Sequence, residues 1–160
     1  MPQITLARAT PAPITLTLPN GLLWVDQYGW QEVVQNIEYS TEGVPAIDLW
    51  KKQSGRPIQL QGEQDRAWCE RGLLATLRTW ASEPGLVMTL THASVAYQVA
   101  FDHESKPIEA SPLTDFLGGD NAYTVRNEAG EITTDVSVNY FDPQATDPFA
   151  VVLRFLTLSA

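Results

Sequence analysis

The chain has 160 residues, 44% of them hydrophobic, with 19 acidic residues against 10 basic ones and a formal net charge of −9. That length suffices to bury one core without disulfides or metals, the apolar content is too high for a disordered segment, and the longest basic run, Lys51-Lys52, is too short to grip nucleic acid. A single cysteine, Cys69, excludes an intramolecular disulfide and a paired-cysteine metal site.

Met1-Pro2-Gln3-Ile4-Thr5-Leu6 lacks the charged start and apolar stretch of a signal peptide, and no apolar run is long enough to span a bilayer, so a reducing cytosolic origin is expected. Pro11 and Pro13 make residues 1–13 read as an extended arm, free to pair with a neighbour. Ile14 to Leu18 alternates apolar residues with Thr. Asn20-Gly21 suits a type I′ turn, which predicts a hairpin with Leu22 to Val25. From Gln31 to Tyr39, Val33, Gln35, Ile37 and Tyr39 share one face, as in a strand at a subunit or solvent boundary. Ala46 to Trp50 follows as its neighbour. Lys51 to Gly55 reads as a hairpin loop, with Arg56 to Gln61 returning beside that strand.

A helix is predicted from about Asp65 to Ser82. Leu73, Leu77 and Trp80 form its apolar stripe with Cys69, Leu74 and Ala81; Asp65 is the expected N-cap, and Glu83-Pro84-Gly85 the stop. Gly72, costing about 1 kcal/mol against Ala in a helix interior, marks close approach of another backbone. Leu86 to Leu90 and Val95 to Phe101 alternate as a second hairpin turning near His92-Ala93. Ile108 to Leu113, flanked by Pro107 and containing Pro112, suits an edge strand. Thr114 to Pro148 reads as an insertion, with a hairpin between Tyr123-Thr124-Val125 and Glu131-Ile132-Thr133. Phe149 to Leu158 is apolar on both faces apart from Arg154, the mark of a central or covered strand. The fold class is therefore mainly β with one helix: a β-sandwich or split β-barrel flanked by a single α-helix.

The chemistry-bearing residues are sparse. His92 and His103 fall at a turn and past a strand end, where exposure is expected. In Asp102-His103-Glu104 successive side chains point to opposite sides, which spoils a metal site. There is no G-x-S-x-G elbow, calcium loop or phosphate loop, and Cys69 shares the helix stripe as a packed hydrophobe. No reaction, cofactor or metal is called for, and a non-enzymatic role is expected. Trp24, Trp30 and Trp50 lie near strand or loop ends, where an interface suits them as well as a core.

Gly55-Arg56-Pro57-Ile58-Gln59-Leu60-Gln61-Gly62, the Trp-bearing helix ending at Pro84-Gly85, the Leu86 to Phe101 hairpin and the Phe149 to Leu158 strand follow in order. This series resembles small tail proteins of long-tailed bacteriophages and prophages, of the distal tail type found at the tail tip or baseplate. The resemblance covers Trp30 to Leu113 and the terminal strand. It implies a fold shared with tail-tube subunits and a homo-oligomeric ring, commonly a hexamer, joining the tail tube to the central hub. It also implies a structural role without a cofactor, with further copies, tube and hub proteins as partners and DNA only in passage. The corresponding location is the virion tail, and the host cytoplasm during assembly. The acidic charge suits a channel wall that repels phosphates. The chain departs from the pattern in its long 114–148 insertion, and is too short for the carbohydrate-binding domain of larger relatives.

Assembly contacts are expected from the arm Ile4 to Pro13, the loop Lys51 to Arg56 and the insertion, with Ile4, Leu6, Trp24, Trp30, Trp50, Arg56, Phe116 and Tyr123 as the interface side chains. The alternative is a monomeric β-sandwich that binds a carbohydrate or protein partner through Trp24, Trp30 or Trp50.

Overall fold

The computed structural model describes residues 3–63, 67–113, 124–126, 129, 132–135 and 144–158. In chain order the elements are β1 (Ile4–Arg8), β2 (Ile14–Leu18), β3 (Leu23–Trp24), β4 (Val33–Tyr39), β5 (Pro45–Lys51), β6 (Pro57–Gln61), β7 (Cys69–Glu70), α1 (Arg71–Ala81), β8 (Met88–His92), β9 (Val95–Phe101), β10 (Ile108–Pro112), β11 (Thr124–Arg126), β12 (Ile132–Asp135) and β13 (Pro148–Thr157).

The doubly apolar strand is central, as its composition predicts. One edge of β13 pairs with β10, from Pro112↔Phe149 to Ile108↔Leu153, and then with β9 at Phe101↔Phe155. The other edge pairs with β7 at Cys69↔Phe149 and with β6 at Leu60↔Leu153. Val151, Leu153 and Phe155 alternate into the core and are buried. Phe101 and Phe155, directly opposite in register, stack with ring centroids 5.1 Å apart.

Beyond β9 the sheet continues through β8 and β1 to β2, and beyond β6 it ends at β3. Three strand spacings separate β3 from β9, which in a flat sheet is about 14 Å. The Trp24 ring nevertheless meets Tyr97 and His92 edge-on, each at 5.5 Å. The sheet therefore folds over so that its inner faces meet, as in a sandwich. Among the described residues, every strand pairing is antiparallel and α1 is the single α-helix, so the fold is mainly β with one helix.

Helix α1 begins at Arg71, later than the periodicity predicts. Trp68 and Cys69 precede it, with Cys69 in β7. Asp65 lies outside the described residues, and the N-cap is Glu70, without a side-chain cap bond. The first helical donors are instead satisfied from a distant turn, Arg71 N–H donating to Asp147 O at 2.9 Å and Gly72 N–H to Ala145 O at 2.8 Å. A Cβ on Gly72 would stand 3.4 Å from Ala145 O, so the expected close backbone approach is present. The Arg71 side chain also binds the buried Asp147 carboxylate, through Nε at 3.0 Å and Nη2 at 2.9 Å. At the other end Arg8 donates to Glu83 Oε1 at 2.7 Å while its guanidinium lies 4.9 Å from the Trp80 ring. Leu74, Leu77 and Trp80 fill the core between these pins.

Three sequence expectations give way. The arm is not free: β1 lies between β2 and β8, with Ile4 and Leu6 buried, so removing residues 1–13 removes an interior strand. The Asn20-Gly21 hairpin does not form, because β2 and β3 occupy opposite ends of the sheet and neither residue takes positive φ. Burial of Leu18, Leu22 and Trp24 outweighs the local turn preference. Nor does β6 return beside β5. Gly55, at φ 85°, donates to Thr157 O at 2.9 Å and Arg56 N–H to Thr157 Oγ1 at 2.9 Å, which directs the chain onto β13. The 114–148 insertion contains the β11–β12 pairing near the expected hairpin, with a register shift between Val125 and Arg126. Its remainder is largely outside the described residues.

The β8–β9 turn places Ala93 at φ 49° and Ser94 at φ 67°, left-handed conformations that usually select Asn and Gly. The double substitution Ala93→Asn/Ser94→Gly should therefore raise stability by about 1 kcal/mol, read as a higher urea midpoint at unchanged slope. Conversely, Asp147→Ala removes the partner of Arg71 and should lower stability by about 2 kcal/mol in the same titration, discounted because Arg71 is a third exposed.

Candidate assembly surface

Strands β4 and β5 form a two-stranded sheet of their own, apart from the large one. Its turn is closed by Ser40 N–H to Val44 O at 2.9 Å, Gly43 N–H to Ser40 O at 2.9 Å and Val44 N–H to Ser40 Oγ at 3.1 Å, with Gly43 at φ 81°. At the base, Lys52 N–H donates to Glu32 O at 2.8 Å, Lys51 pairs with Glu32 at 2.9 Å, and the Lys52 ammonium lies 5.8 Å from the Trp30 ring. Both charged partners of the Lys51 pair are well exposed, so it adds little stability.

Register and pleat divide the hairpin into two unlike faces. Ile37 faces Ile47, Gln35 faces Leu49 and Tyr39 faces Pro45, with Val33 opposite Lys51 at the base of the same side; Val34 with Trp50, Asn36 with Asp48 and Glu38 with Ala46 lie on the other. Every residue of the two strands is exposed except the half-buried Val34. Val33, Ile37, Tyr39, Ile47 and Leu49 are between 45% and 71% exposed. Together they form an apolar strip on the order of 400–500 Å², within the range of about 300–600 Å² for the largest patch on a monomer. An isolated two-stranded hairpin is marginally stable in water, so a covering partner would add directly to its order.

The predicted interface side chains fall in several places. Ile4 and Leu6 face the core. Trp24 is buried beneath the Arg56 guanidinium, 4.6 Å from its ring, and Arg56 Nη2 donates to Gln27 O at 2.6 Å. These two side chains hold β3 against the inner sheet instead of facing outward. Trp30 is half-buried at the hairpin base, and Trp50 on β5 is 52% exposed. Phe116 and Tyr123 lie outside the described residues. The side chains missing from the expected set are Ile47 and Leu49, together with Val33, Ile37 and Tyr39, whose shared face was visible as a boundary signal. Tyr28, in the loop before the hairpin, is 92% exposed.

The surface also carries an open groove of about 610 Å³ beside β10, with Arg78 of α1 and Lys106 among its lining residues. Near it, Arg154 donates to Glu109 at 2.9 Å and, by that bond and its charge, holds the Glu109 carboxyl below its usual value. A second groove of about 390 Å³ lies by β2, lined by Asn20, Trp68 and Glu70 among others. His92 is half-buried against Trp24, unlike the exposed turn residue expected, while His103 is exposed. Among the described residues no group of three His, Cys, Asp or Glu side chains converges as a metal site would require. No protein-family model, curated protein or solved structure matches the chain.

Cys69 is buried, and desolvation, with a smaller push from the Glu70 charge, raises its thiol from 9.0 to about 12. The folded value exceeds the unfolded one. Its contribution to stability is thus complete below pH 9 and is lost as the pH climbs from 9 toward 12. A thiol reagent at pH 8 should leave the native chain unmodified and label one thiol per chain once urea unfolds it; labelling at equal rates in both states would contradict this burial.

Proposed function

We propose that this chain is a structural subunit of a bacteriophage tail, a ring-forming protein of the tail tip or baseplate that joins the tail tube to the hub. The observation that carries this reading is the β4–β5 hairpin: a sheet apart from the large one, with an exposed apolar strip on one face, a mixed face that carries Trp50 with Glu38 and Asp48 on the other, and both outer strand edges unpaired among the described residues. Such a sheet stabilises little within its own chain and has the form of an arm that reaches a neighbour. The resemblance drawn from the Gly55 to Gly62 strand and the elements after it supplies the choice of tail tip over other assemblies.

The mechanism is binding alone. Sheet edges and apolar strips provide the contact, and the net charge of −9 gives a wall that does not retain passing DNA. Copies of the chain, the tube and the hub are its partners.

Light scattering on the eluting protein, with negative-stain images of the same peak, tests the reading directly. Closed rings of about six subunits are expected, by analogy with cyclic assemblies. The variant Ile37→Thr/Ile47→Thr/Leu49→Thr should lose the ring while its unfolding midpoint stays within about 2 °C, because the strip lies outside the core. A monomeric wild type that binds glycans in a screen would replace this reading with that of a β-sandwich binding module.

A further inference from the structure

We propose that the groove around Trp68 binds a neutral sugar, whose ring stacks on the indole while Asn20 and Glu70 bond its hydroxyls. The site shares no residue with the β4–β5 strip, so it stands independently of the ring-subunit reading.

Two sequence features that the fold left without a role meet here. Trp68 lies ahead of α1 instead of within it, and Asn20-Gly21 does not make the hairpin turn that its letters favour. Both line the same place. A hollow of about 390 Å³ and an adjoining one of about 310 Å³ share Pro19, Asn20 and Trp68. Each lies in the range of about 300–1,000 Å³ usual for small-ligand sites.

The frame is held on both sides. From Ala67 to Glu70 burial alternates, with Ala67 and Cys69 buried and Trp68 and Glu70 exposed, and the pairing of Cys69 with Phe149 and of Glu70 with Pro148 ties this segment to β13. A Cβ on Gly62 would stand 2.4 Å from Ala67 O, so the backbone just before Trp68 is seated against the end of β6. Opposite, Leu22 N–H donates to Pro19 O at 3.2 Å, and the buried Leu18 and Leu22 anchor the turn that carries Asn20. A ligand therefore meets groups already in position, which lowers the ordering cost of binding.

Chemistry selects the ligand. The Trp68 side chain, in a residue 38% exposed, offers an indole surface, and the C–H face of a pyranose carries the slight positive charge that the negative face of an aromatic ring attracts. Asn20 brings amide donors and Glu70 carboxylate acceptors, a combination that suits hydroxyls, which donate and accept at once. An ammonium group could use Trp68 and Glu70 but would leave the Asn20 donors unused, because it has no acceptor. Among the described residues no Lys or Arg lines either hollow and Glu70 is the one charge, so a phosphate, a nucleotide or an acidic glycan would be repelled. The larger groove beside Arg78 has cations but no aromatic side chain among its described lining residues, and lacks this platform.

Saturation-transfer NMR on the full-length chain, with cellotriose, maltotriose, triacetylchitotriose and mannotriose as probes, tests the site in a monomer or a ring alike. At least one sugar should bind with a Kd on the order of 1 mM, as an open groove permits, and the protons on one ring face should receive the strongest transfer. Trp68→Ala should weaken that binding at least about tenfold, Asn20→Ala about threefold, and Trp68→Phe less than Trp68→Ala, with unchanged thermal unfolding confirming that each variant folds. Trp50→Ala should bind as the wild type does. No transfer to any of these sugars at about 20 mM would overturn the proposal, as would binding that persists in Trp68→Ala, or a sialylated trisaccharide or trilysine that binds more tightly than every neutral sugar. None of these failures touches the ring reading, which light scattering tests separately.

Discussion

The pairing of β13 along both edges is the constraint on which the rest of the structure depends. Four strands from distant parts of the chain bond to this one segment, and the residues between Pro148 and Thr157 must satisfy the main chain on both sides while filling the core on one face. That double demand explains its composition. Val151, Leu153 and Phe155 supply apolar volume toward the core, whereas on the opposite face Arg154 is occupied by the Lys106 carbonyl at 2.9 Å and the Glu109 carboxylate.

The remaining elements are fastened to this frame by charge stacked on aromatic rings. Arg8 lies over Trp80, Arg56 over Trp24 and Arg71 over Phe149, and each guanidinium also bonds an oxygen from another part of the chain. Planar guanidinium groups suit the task, because they stack on a ring face and donate in their own plane at the same time. The helix and β3 are thereby held to the sheet with directional contacts at positions where purely apolar packing would permit sliding.

Much of the fold was legible from local pattern. The period-two alternation of Leu86 to Leu90 against Val95 to Phe101, the double apolarity of β13 and the stripe of Leu73, Leu77 and Trp80, with Leu74 in support, each correspond to a contact made where expected, although Leu74 is buried more fully than Leu73. The illegible parts have long-range causes. The start of α1 depends on carbonyls at 145 and 147, more than seventy residues away, and no local signal encodes that capping. Ile4 and Leu6 alternated visibly, but the nearby prolines suggested an arm; only the pairing of β1 on both edges reveals a core strand. For β4 and β5, alternation identifies an apolar face without saying whether its partner lies in the same chain. Trp24 lies near a strand end and Arg56 closes the Lys51 to Arg56 loop, positions that suit an interface, yet the two side chains stack on each other within the fold.

The hairpin has a consequence for the chain in solution. A strip of branched and aromatic side chains on a short sheet with open edges is also the pattern that seeds disordered aggregation. Glu38, Glu42 and Asp48 stand on or beside those same strands and act as gatekeepers, since stacking like hairpins in register would bring like charges together. The acidity of the whole chain works in the same direction by keeping free copies apart. The charges that keep copies of the chain apart and the exposed apolar strip thus share one pair of seven-residue strands.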